Sequence, residues 1–256
     1  MAEVIFSMTC TRVAFLFLVV SFALIAAAEE TNCDLPPNFA IIPVEQDASW
    51  TIEWWKERHA RKIEEAEKTD VDLLFIGDSI THAWENVGAA VWEAYYQNRR
   101  AFNLGSSGDR TEHVLWRIEN GAVDSIKPRL VVLLIGTNNT GHRMDPADYT
   151  AEGIGKIVES LRARLPNASM LVLGIFPRHV SPNNEMRIRN KKISQTISKL
   201  ADSDSVYFLD ISNEFVEPDG SLRIDLMPDL LHLNESGYRV WAEAMEPTLR
   251  RLLRDR

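Results

Sequence analysis

Leu73-Leu74-Phe75-Ile76-Gly77-Asp78-Ser79-Ile80-Thr81 runs four apolar residues straight into Gly-Asp-Ser. An apolar run without alternation reads as a strand buried on both faces, the mark of a central strand in a parallel sheet. Gly77 ends it, and the turn that follows places the Ser79 hydroxyl where a strand gives way to a helix. In open α/β folds that position lies at the carboxyl edge of the sheet, where ligand crevices form. Ser79 is therefore a candidate nucleophile, although the same three residues would also suit a helix cap or an ordinary turn.

Strand-like runs recur at Ala101–Leu104, Leu130–Ile135, Met170–Phe176 and Val206–Ile211. Helical patterns separate them at about Ala89–Gln97, Thr111–Asn120, Pro146–Leu165 and Asn183–Ala201, and a last one runs to about Leu253. Strands alternating with helices of this length demand parallel pairing with right-handed crossovers. The expected fold is a three-layer α/β/α sandwich on a five-stranded parallel sheet. An amphipathic helix is expected from about Asp47 to Lys68, with Trp50, Trp54 and Trp55 read as packing aromatics rather than a ligand platform.

The 256 residues are 45% hydrophobic and 25% charged, enough for one domain with a sizeable core. The net charge of −9 and the lack of a basic cluster exclude a nucleic-acid footprint. Residues 1–28 differ in kind. Arg12 precedes the nearly unbroken apolar run Val13–Ala28, which closes on Ala26-Ala27-Ala28. Such a run is shorter than the roughly 20 residues of a spanning helix and reads as a signal peptide. Residues 29–69 then form a lead-in with the amphipathic helix, and 70–256 the main domain. Secretion is expected, with no membrane span once the signal is removed; an uncleaved anchor is the alternative. Cys33 would be the one cysteine of the mature chain, so no internal disulfide is expected, and no Cys/His spacing suits zinc.

Three strands end in polar glycine-bearing loops: Gly77-Asp78-Ser79, Gly105-Ser106-Ser107-Gly108 and Gly136-Thr137-Asn138. A parallel sheet brings these ends to one edge. There the backbone N–H groups of Ser79 and Gly105 and the side-chain amide of Asn138 could serve a developing oxyanion. A serine needs a base, and the base a partner that fixes its tautomer. His232 and Asp229, three residues apart after the last strand, can supply both. His59, His82, His113, His142 and His179 are weaker candidates. Asp78 is read as holding the turn or the oxyanion loop, and Arg178 as a solvated loop charge in preference to a substrate contact. Asn138, Asn167 and Asn234 head glycosylation sequons, the first expected to stay unmodified.

Together, Gly77–Thr81, Asn103-Leu104-Gly105, Gly136-Thr137-Asn138 and Asp229–His232 resemble the four sequence blocks of the SGNH (GDSL-type) hydrolases. Further stretches, among them Gly108-Asp109-Arg110-Thr111 and Phe176-Pro177-Arg178, are similar to the catalytic subunits of the brain-type platelet-activating-factor acetylhydrolases. The resemblance covers about residues 70–245. It implies a flavodoxin-like hydrolase fold, no metal or other cofactor, and hydrolysis of short, commonly acetyl, esters of small molecules, glycans or lipids. It also implies Ser79 as nucleophile, His232 as base, Asp229 as its orienting partner, and Ser79, Gly105 and Asn138 as the oxyanion hole. Pairing into a homodimer is known among the related subunits. A longer-chain lipase or thioesterase, or a non-catalytic carbohydrate- or lipid-binding module on the same fold, are the rival readings.

Overall fold

In the computed structural model, which describes residues 37–254, the sheet is built from β1 (Leu73–Gly77), β2 (Ala101–Asn103), β3 (Leu130–Leu134), β4 (Ser169–Leu173) and β5 (Val206–Leu209). All neighbours are parallel, in the order β2-β1-β3-β4-β5. β1 and β3 are buried along their whole length. Because successive side chains point to opposite faces, Leu74, Ile76, Val131 and Leu133 pack into one core while Leu73, Phe75, Val132 and Leu134 pack into the other. The first core is covered by α4 (Thr111–Glu119), α6 (Ala147–Arg164) and α7 (Glu185–Ile197). α3 (Ala89–Tyr96) and α8 (Glu235–Leu253) cover the second. This is the three-layer sandwich expected from the alternating pattern.

The strand order reverses direction between β1 and β3, since the chain leaves β1 for β2 on one side and returns to β3 on the other. A crevice opens at such a switch point, outside the carboxyl ends of the strands. Two short helices begin there: α2 (Ser79–His82) after β1 and α5 (Thr137–Arg143) after β3.

Ahead of the sheet, α1 spans Trp55–Ala66 and not Asp47–Lys68. Residues 48–54 are tight turns, in which Thr51 N–H and Oγ1 both bond the Ala48 carbonyl, at 2.8 and 2.6 Å. That side-chain bond offers the backbone an alternative to a helix. Of the three tryptophans Trp50, Trp54 and Trp55, only Trp55 is buried in the core, at 1% exposure; Trp50 is 55% exposed. The stretch that reads as a signal peptide, and Cys33, lie outside the described residues. No described helix is long and apolar enough to cross a membrane.

The second core is held by an aromatic group centred on Trp241, which is fully buried and meets Trp84 at 5.0 Å and Phe176 at 5.1 Å between ring centroids. Replacing Trp241 with Ala should cost about 3–5 kcal/mol of stability. Urea unfolding measures this, and a loss below about 1 kcal/mol would show that the aromatic group does not hold the core.

Candidate active site

Gly77 closes β1 with no side chain, because a Cβ there would lie 2.4 Å from the Leu134 carbonyl oxygen and 2.2 Å from Thr81 Oγ1. The chain can then turn at once into α2. Asp78 caps that helix, its Oδ1 accepting from the Ile80 N–H at 3.0 Å, and Ser79 becomes the first helical residue. The Ser79 N–H therefore has no acceptor within the helix.

Ser79 Oγ lies 2.9 Å from His232 Nε2, and His232 Nδ1 lies 2.6 Å from Asp229 Oδ2. A carboxylate can only accept, so Nδ1 carries the proton in the neutral ring and Nε2 accepts from the Ser79 hydroxyl. The other carboxylate oxygen, Oδ1, takes the backbone N–H groups of His232 and Leu231 at 2.6 and 3.0 Å. This folds Asp229–His232 into one turn, at the expense of a left-handed Leu230 with φ +67°. Burial alone would raise the Asp229 carboxyl, but the backbone and ring N–H donors of His232 outweigh it and hold the group below its usual range. Unlike the buried partner of a serine-protease triad, this carboxylate stays accessible to solvent, with 56% of its side chain exposed.

The two other expected oxyanion donors are placed differently from one another. Asn138 Nδ2 donates to the Asp109 carbonyl at 2.9 Å, which fixes the amide and leaves its second hydrogen. The Gly105 N–H, by contrast, donates to Asn103 Oδ1 at 2.7 Å. The Asn103 side chain is oriented for this because its Nδ2 donates to the Thr81 carbonyl at 2.9 Å. What Gly105 contributes is space, since a Cβ there would come within 2.3 Å of His82 N.

Behind Asn138 stands a buried hub that sequence reading did not single out. Asp109, fully buried, accepts from Trp55 Nε1 (2.7 Å) and Gln46 Nε2 (2.9 Å) on Oδ1, and from Arg117 Nε (2.8 Å) on Oδ2. The residues ahead of the sheet thus fix the loop whose carbonyl aims Asn138. An Asp in a glycine-bearing loop was a visible signal, but its partners lie up to 63 residues away in sequence.

Asp78 is buried beside this site. Burial pushes its carboxyl up to about 7, against the Ile80 N–H and the nearby His232, which pull it down. Arg178 is not a solvated charge: Nη1 donates to the Thr137 carbonyl at 3.1 Å and packs on Gly141. The other histidines serve elsewhere. His59 stacks on Trp55, His113 accepts from the Arg110 N–H, and His82 Nδ1 pairs with Ser107 Oγ at 2.9 Å, its burial lowering the ring to about 4. The Asn138 sequon is buried, and the Asn234 side chain caps α8, whereas Asn167 is exposed. No group of metal-ligating side chains gathers among the described residues.

Residues 75–240 match the GDSL-like lipase/acylhydrolase family. The chain is 36% identical over 200 residues to the platelet-activating factor acetylhydrolase IB subunit alpha1 of Homo sapiens, covering 78% of this chain and 84% of that one. It is 34% identical over 222 residues to subunit alpha2 of Rattus norvegicus, covering 85% and 93%. The fold is shared with a GDSL-like lipase from Bacteroides thetaiotaomicron (TM-score 0.60, 20% identity, 76% of this chain and 97% of that one). An acetylxylan esterase from Geobacillus stearothermophilus also shares it (TM-score 0.57, 19% identity, 72% and 94%). The chain belongs to the GDSL-like lipase/acylhydrolase family and is a carboxylic ester hydrolase.

Proposed function

We propose that the protein cleaves short-chain esters, acetyl esters foremost, through Ser79, His232 and Asp229. The observation that carries this is the unbroken chain of hydrogen bonds from the Ser79 hydroxyl through the imidazole to the Asp229 carboxylate. The acetyl preference is supported by the relatives at 34–36% identity, which are platelet-activating factor acetylhydrolase subunits.

In this mechanism Ser79 Oγ attacks the acyl carbon while His232 Nε2 takes its proton, and Asp229 steadies the imidazolium that forms. The carbonyl electrons move onto oxygen, where the Ser79 N–H and the second hydrogen of the Asn138 amide meet the charge. As the tetrahedral intermediate collapses, the C–O bond to the alcohol breaks and His232 returns the proton to the leaving oxygen. Water then attacks the acyl-Ser79 through the same base and releases the acid. Gly105 supports the hole by its close packing against α2, and its N–H joins only if Asn103 releases it.

Ser79→Ala should lower kcat on p-nitrophenyl acetate by at least about 10⁴-fold with an unchanged circular dichroism spectrum. Across acyl chains of two to twelve carbons, the wild type should peak at the short end. Residual turnover within tenfold of wild type, or a maximum at long chains, would reject the assignment.

Export is part of the proposal and rests on Val13–Ala28 and the alanines that close it. Expression of the full chain in a secreting host should yield protein in the medium whose first residue lies near Glu29. A cell-retained chain with an intact start would count against it.

Asp78 predicts a pH dependence of stability. Its folded pKa, near 7, lies above the ordinary carboxylate value, so the folded state holds a proton that the unfolded chain has lost. Stability from this group is present below about pH 4 and declines as pH rises towards 7. Compared with Asp78→Asn, the wild type should lose stability across that window. Parallel denaturation curves for both proteins would show that Asp78 is ionised in the fold.

A further inference from the structure

Four aromatic side chains that carry a polar atom are fully buried in the core covered by α3 and α8: Trp84, Tyr96, Tyr238 and Trp241. Three of them leave that atom unbonded, since Trp84 Nε1, Tyr96 Oη and Trp241 Nε1 have no hydrogen-bond partner among the described residues. Tyr238 differs. Its hydroxyl donates to the Ile80 carbonyl at 2.6 Å, a contact between positions 158 residues apart. Packing fixes the ring: it meets Trp84 at 4.5 Å between centroids and lies over Gly88, where a Cβ would stand 2.9 Å from it. A phenylalanine would fill the same space, so what the hydroxyl adds is the bond itself.

Ile80 follows Ser79 directly in α2, whose four residues are too few to hold their own position. Neighbours hold it instead. Tyr238 takes the Ile80 carbonyl, and Asn103 Nδ2, from β2, takes the next one, that of Thr81, at 2.9 Å. At its other end Tyr238 belongs to the unit that carries His232. It lies in the first turn of α8, and its N–H donates to the carbonyl of the helix cap Asn234 at 3.0 Å. Asn234 is anchored in turn, its N–H on the Leu226 carbonyl at 2.9 Å and its Nδ2 on the Asp225 carbonyl at 2.7 Å. Among the described residues two hydrogen bonds therefore join α2 to this unit: Ser79 Oγ with His232 Nε2, and Tyr238 Oη with the Ile80 carbonyl.

The two bonds differ in what the reaction does to them. Acylation consumes the first, because the proton leaves Ser79 Oγ and the acylated oxygen has no hydrogen left to donate. The second takes no part in the chemistry. We propose that Tyr238 is a positioning residue: through the Ile80 carbonyl it fixes the separation of Ser79 and His232 and keeps the imidazole in reach once the bond between them is gone. Deacylation needs this, since the same imidazole must then activate a water against the acyl carbon on Ser79. The inference rests on the ester-hydrolase reading of Ser79 and His232 and adds the group that holds them in register.

The test compares the full chain with Tyr238→Phe, which keeps the ring, and with Tyr96→Phe, which removes from the same core a hydroxyl that bonds nothing. Turnover of p-nitrophenyl acetate and the rate of fluorophosphonate labelling at Ser79 are both normalised to the folded fraction seen by circular dichroism. Since a misplacement of about 1 Å costs about 10²-fold, Tyr238→Phe should lower kcat at least about tenfold with KM changed by less than about twofold. Labelling should slow by a similar factor, and Tyr96→Phe should match the wild type in both. A Tyr238→Phe enzyme that melts earlier yet keeps the wild-type kcat and labelling rate has lost stability alone and overturns the proposal. Unchanged labelling beside a lowered kcat also overturns it, because the defect would then lie away from the pair of Ser79 and His232. So does an equal loss in Tyr96→Phe, which would trace the effect to the core at large. A wild type that neither turns over the ester nor takes the probe rejects the esterase reading, and this inference with it.

Discussion

Parallel pairing of β1 with β3, in the register that sets Gly77 beside Leu134, is the constraint on which the site depends. It brings the loops carrying Ser79 and Asn138 to one edge although many residues separate them, and it does so at the point where the strand order reverses. Both strands are buried on both faces, so hydrophobic burial on either side of the sheet holds the register. A one-residue slip would send Leu74 and Ile76 to the wrong core and move Ser79 away from His232. The core and the chemistry are thus specified by the same pairing.

Around that edge the polar groups form a supporting layer that apolar packing could not provide. Arg117, Trp55 and Gln46 satisfy both oxygens of Asp109 and relieve part of the cost of its desolvation, although burial still holds the carboxyl above its usual range. The hub joins the residues before the sheet to the Asn138 side of the site. On the other side, one carboxylate fixes a whole turn, since Asp229 receives two backbone N–H groups as well as the imidazole. In the proposed mechanism each reacting group is held by a neighbour that does not itself react, the condition for stabilising a transition state without reorganisation.

The apolar runs ending at Gly77 and Gly136 and the alternation of strands with helices made the architecture legible from sequence, because both follow from local periodicity. The proposed triad came into view for a different reason: four short blocks in a fixed order are jointly specific where any one is common. What escaped depended on contacts between distant segments. Periodicity could not show that Thr51 would bond Ala48 and delay α1 to Trp55, nor that Trp50 would stay in solvent. Composition could not show that Asn103 would take the Gly105 N–H, or that Arg178 would turn back onto Thr137. Asp109 was visible as a residue but not as a hub, because two of its three partners, Gln46 and Trp55, lie more than fifty residues before it.

The central claim is that the Ser79 hydroxyl is made nucleophilic by an imidazole that Asp229 holds in one tautomer. A fluorophosphonate probe followed by peptide mass mapping tests this most directly, because the probe reacts with an activated serine whatever the natural substrate. The account predicts one adduct, on the peptide bearing Ser79, formed by the wild type and lost in His232→Ala. An adduct on another serine, or labelling of Ser79 that persists without the imidazole, would contradict it.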